Sequence, residues 1–209
     1  MAKKAVAKNK AQINTRNAKS NNTLRIIGGE WRSRKLPFVD APGLRPTPDR
    51  IRETLFNWLQ GNIHGANCID MFAGSGALGF EALSRGAKDV IFVEKNVACA
   101  AQLNANLALL NAEARVIQSD ALGFLSLIEK PDTALDIVFL DPPYRQDLIE
   151  KSLNYLFAES IIDENSLIYL EHESEANFDW SDFGLQILKQ AKAGQVHSFL
   201  LKRIKIKEC

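Results

Sequence analysis

The stretch Cys68–Leu83, CIDMFAGSGALGFEAL, joins an apolar run to a glycine-rich turn and then to a second apolar run. Its glycines fit the pattern GxGxxG from Gly74 to Gly79, and Glu94 ends the next apolar run, 20 residues after Gly74. Glycines let a backbone approach a ligand closely, and the free N–H groups at a helix start bind polar ligand groups. The stretch therefore predicts a strand, a tight turn and a helix that bind an adenosine-like cofactor, without deciding which one.

Strand-like and helical patterns alternate on either side of this stretch. The strand-like runs are CIDMF, DVIFVE, ARVIQS, DIVFLD and SLIYLEHE, and the helical stretches between them are Gly79–Arg85, Val97–Leu110, Ala121–Glu129 and Asp147–Ala158. Such alternation predicts an α/β fold with a doubly wound parallel sheet covered on both faces. The final run, LQILKQAKAGQVHSFLLKRIKI, has no helix around Gly194 and predicts an antiparallel terminal hairpin.

Two segments precede this pattern. Residues 24–38, LRIIGGEWRSRKLPF, carry apolar residues around Gly28-Gly29 and predict a small N-terminal β-hairpin extension with a glycine turn. Residues 41–59, APGLRPTPDRIRETLFNWL, predict a helix capped by Thr47 or Asp49. We expect three regions: a disordered basic arm at 1–23, the hairpin and its connector at 24–49, and the main domain at 50–209.

Charge is distributed unevenly between the N-terminal segments and the rest of the chain. Residues 1–35 carry a net charge of +9, whereas residues 36–209 carry −8. A basic arm on an acidic body favours a polyanionic partner, and a solvated tail is the alternative. Basic side chains interleaved with an aromatic ring suit phosphate contact and base stacking. The candidate contacts with such a partner are Arg25, Trp31, Arg32, Arg34, Lys35, Arg45, Arg50 and Arg52.

Each of these contacts has a structural alternative. Trp31 can instead pack the hairpin onto the body, and Arg50 and Arg52 can pair with Asp49 or Glu53.

The three cysteines are widely spaced and form no disulfide framework or metal pattern, which favours a reducing cytoplasm. No run is apolar enough to span a membrane, and no metal ligand is predicted.

Acidic residues close to the predicted strand ends narrow the choice of cofactor. Asp70 precedes the glycine turn, where a carboxylate suits the ammonium group of S-adenosylmethionine and repels a pyrophosphate. Asp120 can accept the adenine amino group, and the amide of Ala121 can donate to a ring nitrogen. The fourth strand ends in Asp141-Pro142-Pro143-Tyr144, a stiff corner that hydride transfer does not require.

With these residues in place, the chain resembles a Rossmann-like (class I) S-adenosylmethionine-dependent methyltransferase. It resembles the RsmD family in particular, through the stretches RIIGGEWRSRKL, GLRPTPDRIRETLFNWL, DMFAGSGALGFEALSRGA and FLDPPY, and over about residues 24–205. The resemblance implies a seven-stranded Rossmann-like sheet and methylation of the N2 amino group of one guanine in bacterial 16S rRNA. It implies a partner in the assembling or assembled 30S subunit, in the cytoplasm. The long basic arm is a departure from the family.

The resemblance also implies roles for residues. The predicted catalytic residues are Asp141, Pro142, Pro143 and Tyr144, with Asp141 and the Pro142 carbonyl accepting the amino N–H bonds and Tyr144 stacking on the base. The predicted cofactor contacts are Asp70, Phe72, Gly74, Ser75, Gly76, Glu94, Lys95, Asp120 and Ala121. The alternatives are a methyltransferase acting on adenine N6 in DNA or on a protein glutamine, a nucleotide-binding oxidoreductase, and a non-catalytic RNA-binding protein.

Overall fold

The computed structural model describes residues 22–42, 44, 46–126, 134–143, 146–173 and 178–204. The helices are α1 (Asp49–Trp58), α2 (Ala77–Ser84), α3 (Val97–Leu110), α4 (Ala121–Leu125) and α5 (Gln146–Ala158), with a 3₁₀ turn at Trp180–Phe183. The strands are β1 (Thr23–Arg25), β2 (Lys35–Pro37), β3 (Asn67–Asp70), β4 (Asp89–Glu94), β5 (Arg115–Gln118), β6 (Ile137–Leu140), β7 (Leu167–Glu173), β8 (Leu185–Ala193) and β9 (Val196–Arg203).

The main sheet has seven strands in the order β5-β4-β3-β6-β7-β9-β8. Strands β3 to β7 pair in parallel, and β9 pairs antiparallel with both β7 and β8. The predicted doubly wound sheet with an antiparallel terminal hairpin is confirmed. The strand order reverses between β3 and β6, and in open α/β sheets ligands bind beyond the carboxyl ends of strands at such a point.

Each face of the sheet packs against its own apolar core. One core joins β3 residues such as Cys68 to α1, α2 and α3, and the other joins residues such as Ile69 to α4 and α5. Alternate side chains of a strand point to opposite faces, so neighbouring residues of one strand enter different cores. Leu24, Ile26 and Leu36 of the N-terminal hairpin belong to the first core. The hairpin is therefore packed into the body of the protein.

The two glycines of the hairpin lie in the connection between its strands, as the sequence predicted, and have a further role in packing. Strands β1 and β2 pair antiparallel as expected, but Gly28-Gly29 lies against the end of α2. A Cβ atom at Gly29 would lie 1.8 Å from the Ser84 carbonyl oxygen, and Gly29 has φ +73°. The Ser84 hydroxyl donates to the Gly28 carbonyl at 2.6 Å and accepts from the Trp31 amide at 2.9 Å. The glycines thus allow the close docking of the hairpin on α2.

A chain of alternating charges joins the same hairpin to α1 and α2. Arg25 pairs with Asp49 at 2.7 Å, and Asp49 pairs with Arg52 at 2.6 Å. Arg52 lies 3.4 Å from Glu81, which pairs with Arg85 at 2.8 Å. We call these five residues the ion network. Glu81 of this network also accepts a hydrogen bond from the backbone amide of Ile27 at 2.9 Å.

The start of α1 differs from the prediction that Thr47 or Asp49 caps it. Pro48 occupies the N-cap position, and no side chain caps the helix. Asp49 instead lies in the first turn, where a negative charge is favourable, and binds the two arginines. Thr23, placed at the end of the predicted disordered arm, begins β1, and residues 1–21 of that arm lie outside the described residues. Among the described residues, no helix is long and apolar enough to cross a bilayer.

Candidate active site

The glycine turn lies between β3 and α2, at the carboxyl end of the sheet. Gly76 has φ +79° and forms the N-cap of α2, and a Cβ atom there would lie 2.5 Å from the Phe80 ring. At Gly79 a Cβ atom would lie 2.2 Å from the Phe92 ring. These two glycines are therefore needed for a tight turn and for close helix–sheet packing. Gly74 is only partly buried, and its amide is held by Glu94, so it is the glycine that a ligand can approach.

Asp70 ends β3 with its side chain almost completely buried, at 3% exposure. It accepts a hydrogen bond from the Gly79 amide at 3.0 Å. Burial raises the pKa of Asp70 to about 7, and the nearby charges of Asp141 and Glu94 raise it further against the effect of the Gly79 bond. A carboxyl group with this environment becomes more stable in its ionised form when a cation enters the site.

Glu94 ends β4 and holds the glycine turn in place. Its two carboxylate oxygens accept from the Gly74 amide at 2.8 Å and from the Asn96 amide at 2.6 Å. Charge-assisted bonds of this kind are stronger than bonds between neutral groups. The predicted ribose contact stays a prediction, and the structure adds that Glu94 shapes the turn.

The remaining predicted cofactor residues lie at the same edge of the sheet. Asp120 is exposed and forms the N-cap of α4, where it accepts from the Gly123 amide at 2.8 Å. Ala121 and Ser75 are buried, Phe72 is partly buried and Lys95 is exposed. Because β3, β4 and β5 are neighbouring parallel strands, the residues after their carboxyl ends surround one space.

The corner that follows β6 lies next to this space. Asp141 is partly buried, Pro142 is buried and Pro143 is exposed, while Tyr144 lies outside the described residues. Burial raises the pKa of Asp141 to about 6, and a hydrogen bond from the Thr47 hydroxyl acts in the opposite direction. Thr47, which the sequence suggested as a helix cap, thus connects the N-terminal segment to the corner.

Four acidic side chains meet at the carboxyl ends of adjacent strands: Asp70, Glu94, Asp141 and Glu171. We call them the acidic cluster. None of them takes part in the ion pairs found within the described residues. The described part of the chain contains no group of three or more potential metal ligands arranged around an ion. The cluster is therefore suited to a ligand that carries positive charge or several N–H donors.

Arg52, one of the predicted RNA contacts, lies inside the ion network. Arg52 is 1% exposed, and its guanidinium binds the Thr47 and Arg25 carbonyls as well as Asp49 and Glu81. A buried guanidinium is stable only when it is paired, and the ion network supplies these partners. Pairing with Asp49 was the predicted alternative, whereas the partner Glu81 was not foreseen.

The other basic residues and Trp31 differ in exposure and in their partners within the chain. Arg25 is paired with Asp49 but remains 56% exposed, and Arg34 donates to the Leu109 carbonyl at 2.9 Å. Trp31 is partly buried against the first core, as in the alternative given for it. The side chains of Arg32, Lys35 and Arg50 are exposed, and Arg45 lies outside the described residues.

Sequence reasoning missed Tyr169 and Glu171 on β7, and also Thr47 as a partner of Asp141. Glu171 is 6% exposed and accepts a hydrogen bond from the Tyr169 hydroxyl. The alternation of SLIYLEHE placed Tyr169 and Glu171 on one face, but it did not give the register against β6. The register of β7 against β6 would have been the only signal that these two side chains lie beside Asp141.

The family model described as Conserved hypothetical protein 95 matches residues 24–202. Ribosomal RNA small subunit methyltransferase D from Escherichia coli (strain K12) is 46% identical over 188 residues, which is 90% of this chain and 93% of that protein. The chain belongs to the ribosomal RNA small subunit methyltransferase D family. The family resemblance and the methyltransferase class predicted from the sequence are thereby confirmed.

Other members of the family agree with this assignment. The Haemophilus influenzae methyltransferase D is 47% identical over 167 residues, which is 78% of this chain and 85% of that protein. A solved structure from Escherichia coli, named as a methyltransferase, superposes with a TM-score of 0.80 at 44% identity, covering 88% of this chain and 99% of that one. The predicted fold class is confirmed by the same match.

Proposed function

We propose that this chain transfers a methyl group from S-adenosylmethionine to the exocyclic N2 amino group of a guanine in 16S rRNA of the small ribosomal subunit. The observation that carries the proposal is the position of Asp141 and Pro142 after β6, beside the acid-lined glycine turn, in a member of this family. The names of the relatives indicate that the substrate is ribosomal RNA. The chemistry of the corner indicates that the methyl acceptor is an amino group.

The residues present fit S-adenosylmethionine. The cofactor supplies an electrophilic methyl group on a positively charged sulfur. Asp70 offers a buried carboxylate to its ammonium group, and the start of α2, which no side chain caps, is favourable for its carboxylate. Glu94 lies where ribose hydroxyls bind in this type of sheet, and Asp120 with the Ala121 amide borders the adenine side. The concentration of acidic groups disfavours a pyrophosphate.

The corner acts on the target amino group by accepting its N–H bonds. The lone pair of such a nitrogen is delocalised into the base, so the free amine is a poor nucleophile. The Asp141 carboxylate and the Pro142 carbonyl hold both N–H groups and favour a pyramidal nitrogen in the transition state. Tyr144 stacks on the base, which must be unpaired or flipped out of its stack. Positioning and these acceptors provide the rate enhancement.

We further propose that RNA phosphates bind along the exposed cations of the N-terminal hairpin and α1. Arg32, Lys35 and Arg50 carry this role most directly, because their side chains are exposed and take part in none of the ion pairs found within the described residues. Arg25, Arg34 and Arg45 are secondary candidates. Trp31 orients the hairpin through its packing against the core.

The test is methyl transfer from labelled S-adenosylmethionine to four substrates: unmethylated small subunits, free 16S rRNA, DNA and total protein. We expect label in the ribosomal RNA and none in DNA or protein. A higher rate on subunits than on free RNA would make an assembling or assembled 30S particle the substrate. Label only in DNA or only in protein would contradict the proposal and favour the corresponding alternative methyltransferase.

A further inference from the structure

The register between β6 and β7 places two carboxyl groups side by side. Phe139 is opposite Tyr169 and Leu140 is opposite Leu170, so the next pair in register is Asp141 and Glu171. Register partners in a parallel sheet point to the same face, and side chains alternate along each strand. Asp141 and Glu171 therefore share the face on which the Phe139 and Tyr169 rings meet, with centroids 6.5 Å apart.

The surroundings of Glu171 hold it in a nearly dry site. It is 6% exposed, and the Tyr169 hydroxyl donates to its Oε1 atom. The groups that face it are Asp141 directly after β6, Tyr169 on its own strand, and Ser198, its register partner on β9, whose hydroxyl also bonds to Tyr169. Beyond Asp141 lie the Asp70 carboxyl on β3 and the Thr47 hydroxyl. None of these groups is a cation.

Two adjacent carboxyl groups without a cation do not both ionise at neutral pH. Burial and then the charge of Asp141 raise the pKa of Glu171 to about 8, whereas burial raises that of Asp141 to about 6. At neutral pH the pair therefore favours a single proton, and the deeper burial of Glu171, which is 6% exposed whereas Asp141 is only partly buried, favours that proton on Glu171.

We propose that Glu171 is a positioning residue for methyl transfer: it carries the proton that the two carboxyl groups share and thereby keeps Asp141 ionised as the acceptor for the target amino group. The inference rests on the proposed function and adds a residue to its mechanism. Tyr169 holds the Glu171 carboxyl in place through its hydroxyl.

The proton of the reaction then has a defined path. The nitrogen lone pair forms the N–CH₃ bond while the S–CH₃ bond breaks and its electron pair stays on sulfur. One N–H bond breaks, its electron pair returns to the nitrogen, and the proton moves to the Asp141 carboxylate. The pair now carries two protons and releases one to water, which restores the starting state.

The first experiment follows the carboxyl groups by ¹³C NMR in the full chain without cofactor. Beside the Asp70 step near pH 7, we expect two titration steps from the Asp141–Glu171 pair, near pH 6 and pH 8, with the upper step assigned by its loss in Glu171→Gln. In Asp141→Asn the Glu171 step should move to lower pH, because the neighbouring charge is gone. The proposal is overturned if Glu171 titrates near its ordinary value of about 4.3, or if Asp141→Asn leaves its step unmoved.

The second experiment measures single-turnover methyl transfer to small subunits as a function of pH. In the wild-type protein the rate should rise through about pH 6, as Asp141 ionises. It should fall above about pH 8, as Glu171 ionises and its charge repels the Asp141 carboxylate. The fall near pH 8 should disappear in Glu171→Gln. At pH 7 this variant should be about tenfold faster than Glu171→Ala, because an amide replaces the protonated carboxyl and still pairs with Tyr169.

Ser152→Ala is the matched control, since it removes a buried hydroxyl of α5, outside the acidic cluster, and keeps both carboxyl groups. Both limbs of its pH profile should stay in place. An unchanged alkaline limb in Glu171→Gln, or equal rates for the Gln and Ala variants, contradicts the proposal. Failure of the wild-type protein to methylate any RNA would contradict the proposed function instead, and the NMR titration would still decide the role of Glu171.

Discussion

The ion network and the acidic cluster both contain buried charged residues, but their charges are arranged in opposite ways. In the ion network the signs alternate, from Arg25 through Asp49, Arg52 and Glu81 to Arg85. In the acidic cluster all four residues are acids, and burial raises the pKa values of Asp70, Asp141 and Glu171. The first arrangement is complete within the chain, whereas the second lacks positive charge.

The two regions have different roles: the ion network is structural, and the acidic cluster is suited to binding and chemistry. A buried charge that is fully paired fixes the relative positions of the elements that carry it, here the hairpin, α1 and α2. Buried acids without a cation destabilise the free protein and favour a ligand that brings positive charge or N–H donors. The segment from Thr47 to Arg52 contributes to both regions, through Asp49 and Arg52 to the network and through Thr47 to Asp141.

The largest expected effect comes from breaking the ion network. Arg52→Ala leaves Glu81 buried without one of its partners and should lower the free energy of unfolding by about 3–5 kcal/mol. Denaturant unfolding of the variant measures this loss. Arg50→Ala, on the same helix with an exposed side chain, is the control and should change stability by less than about 0.5 kcal/mol. Equal stability of the two variants would mean that the network does not hold the hairpin.

Breaking the acidic cluster at the corner should affect rate and spare stability. Asp141→Ala removes a transition-state acceptor and should slow methyl transfer on the order of 10²–10³-fold. Single-turnover rates with saturating S-adenosylmethionine measure the effect, and calorimetry should find that the cofactor still binds. Asp147→Ala, an exposed acid of α5, is the control. Near-normal turnover in Asp141→Ala would remove the corner from the mechanism.

A smaller effect is expected at Glu94, where the cluster holds the glycine turn. Glu94→Ala should weaken S-adenosylmethionine binding by about 1.5–3 kcal/mol, the usual contribution of hydrogen bonds to a charged group. Isothermal titration calorimetry measures the affinity. The loss should be smaller in Glu94→Gln, which keeps one acceptor for the Gly74 amide. Unchanged affinity in the alanine variant would show that Glu94 is only a strand-end acid.

The smallest effect is expected from the exposed cations outside the ion network. Replacing Arg32, Lys35 and Arg50 by alanine should lower the slope of log affinity for RNA against log salt by about two to three units. Cofactor affinity should not change. Alanine at Lys88, Lys189 and Lys192, three exposed lysines elsewhere on the molecule, provides a control of equal charge. The same slope in both triple variants would place the RNA path away from the hairpin.

The sequence predicted the features that depend on local pattern. Alternating apolar runs were sufficient for the sheet, and the glycine turn with Glu94 was sufficient for the side of the sheet that binds a cofactor. Features that depend on distant partners were missed. Arg52 is buried because Glu81, 29 residues away, balances its charge, and the two hairpin glycines are needed because Ser84 docks on them.

The same limit applies within the site. Asp141 was found because it precedes two prolines, which is a local signal. Glu171 was missed because its position beside Asp141 depends on the register of β6 against β7, which the sequence pattern alone does not give. Thr47 was taken for a helix cap because its partner lies in a different segment of the chain.

The most direct test of the central claim is to map the methyl group at atomic level. Small subunits would be treated with the enzyme and S-adenosylmethionine carrying a deuterated methyl group, and the ribosomal RNA would be digested and analysed by mass spectrometry. We predict a single labelled nucleoside, a guanosine methylated at N2, and no label when Asp141 is replaced by alanine. Label on adenine, on a ring nitrogen of guanine or on a ribosomal protein would contradict the account.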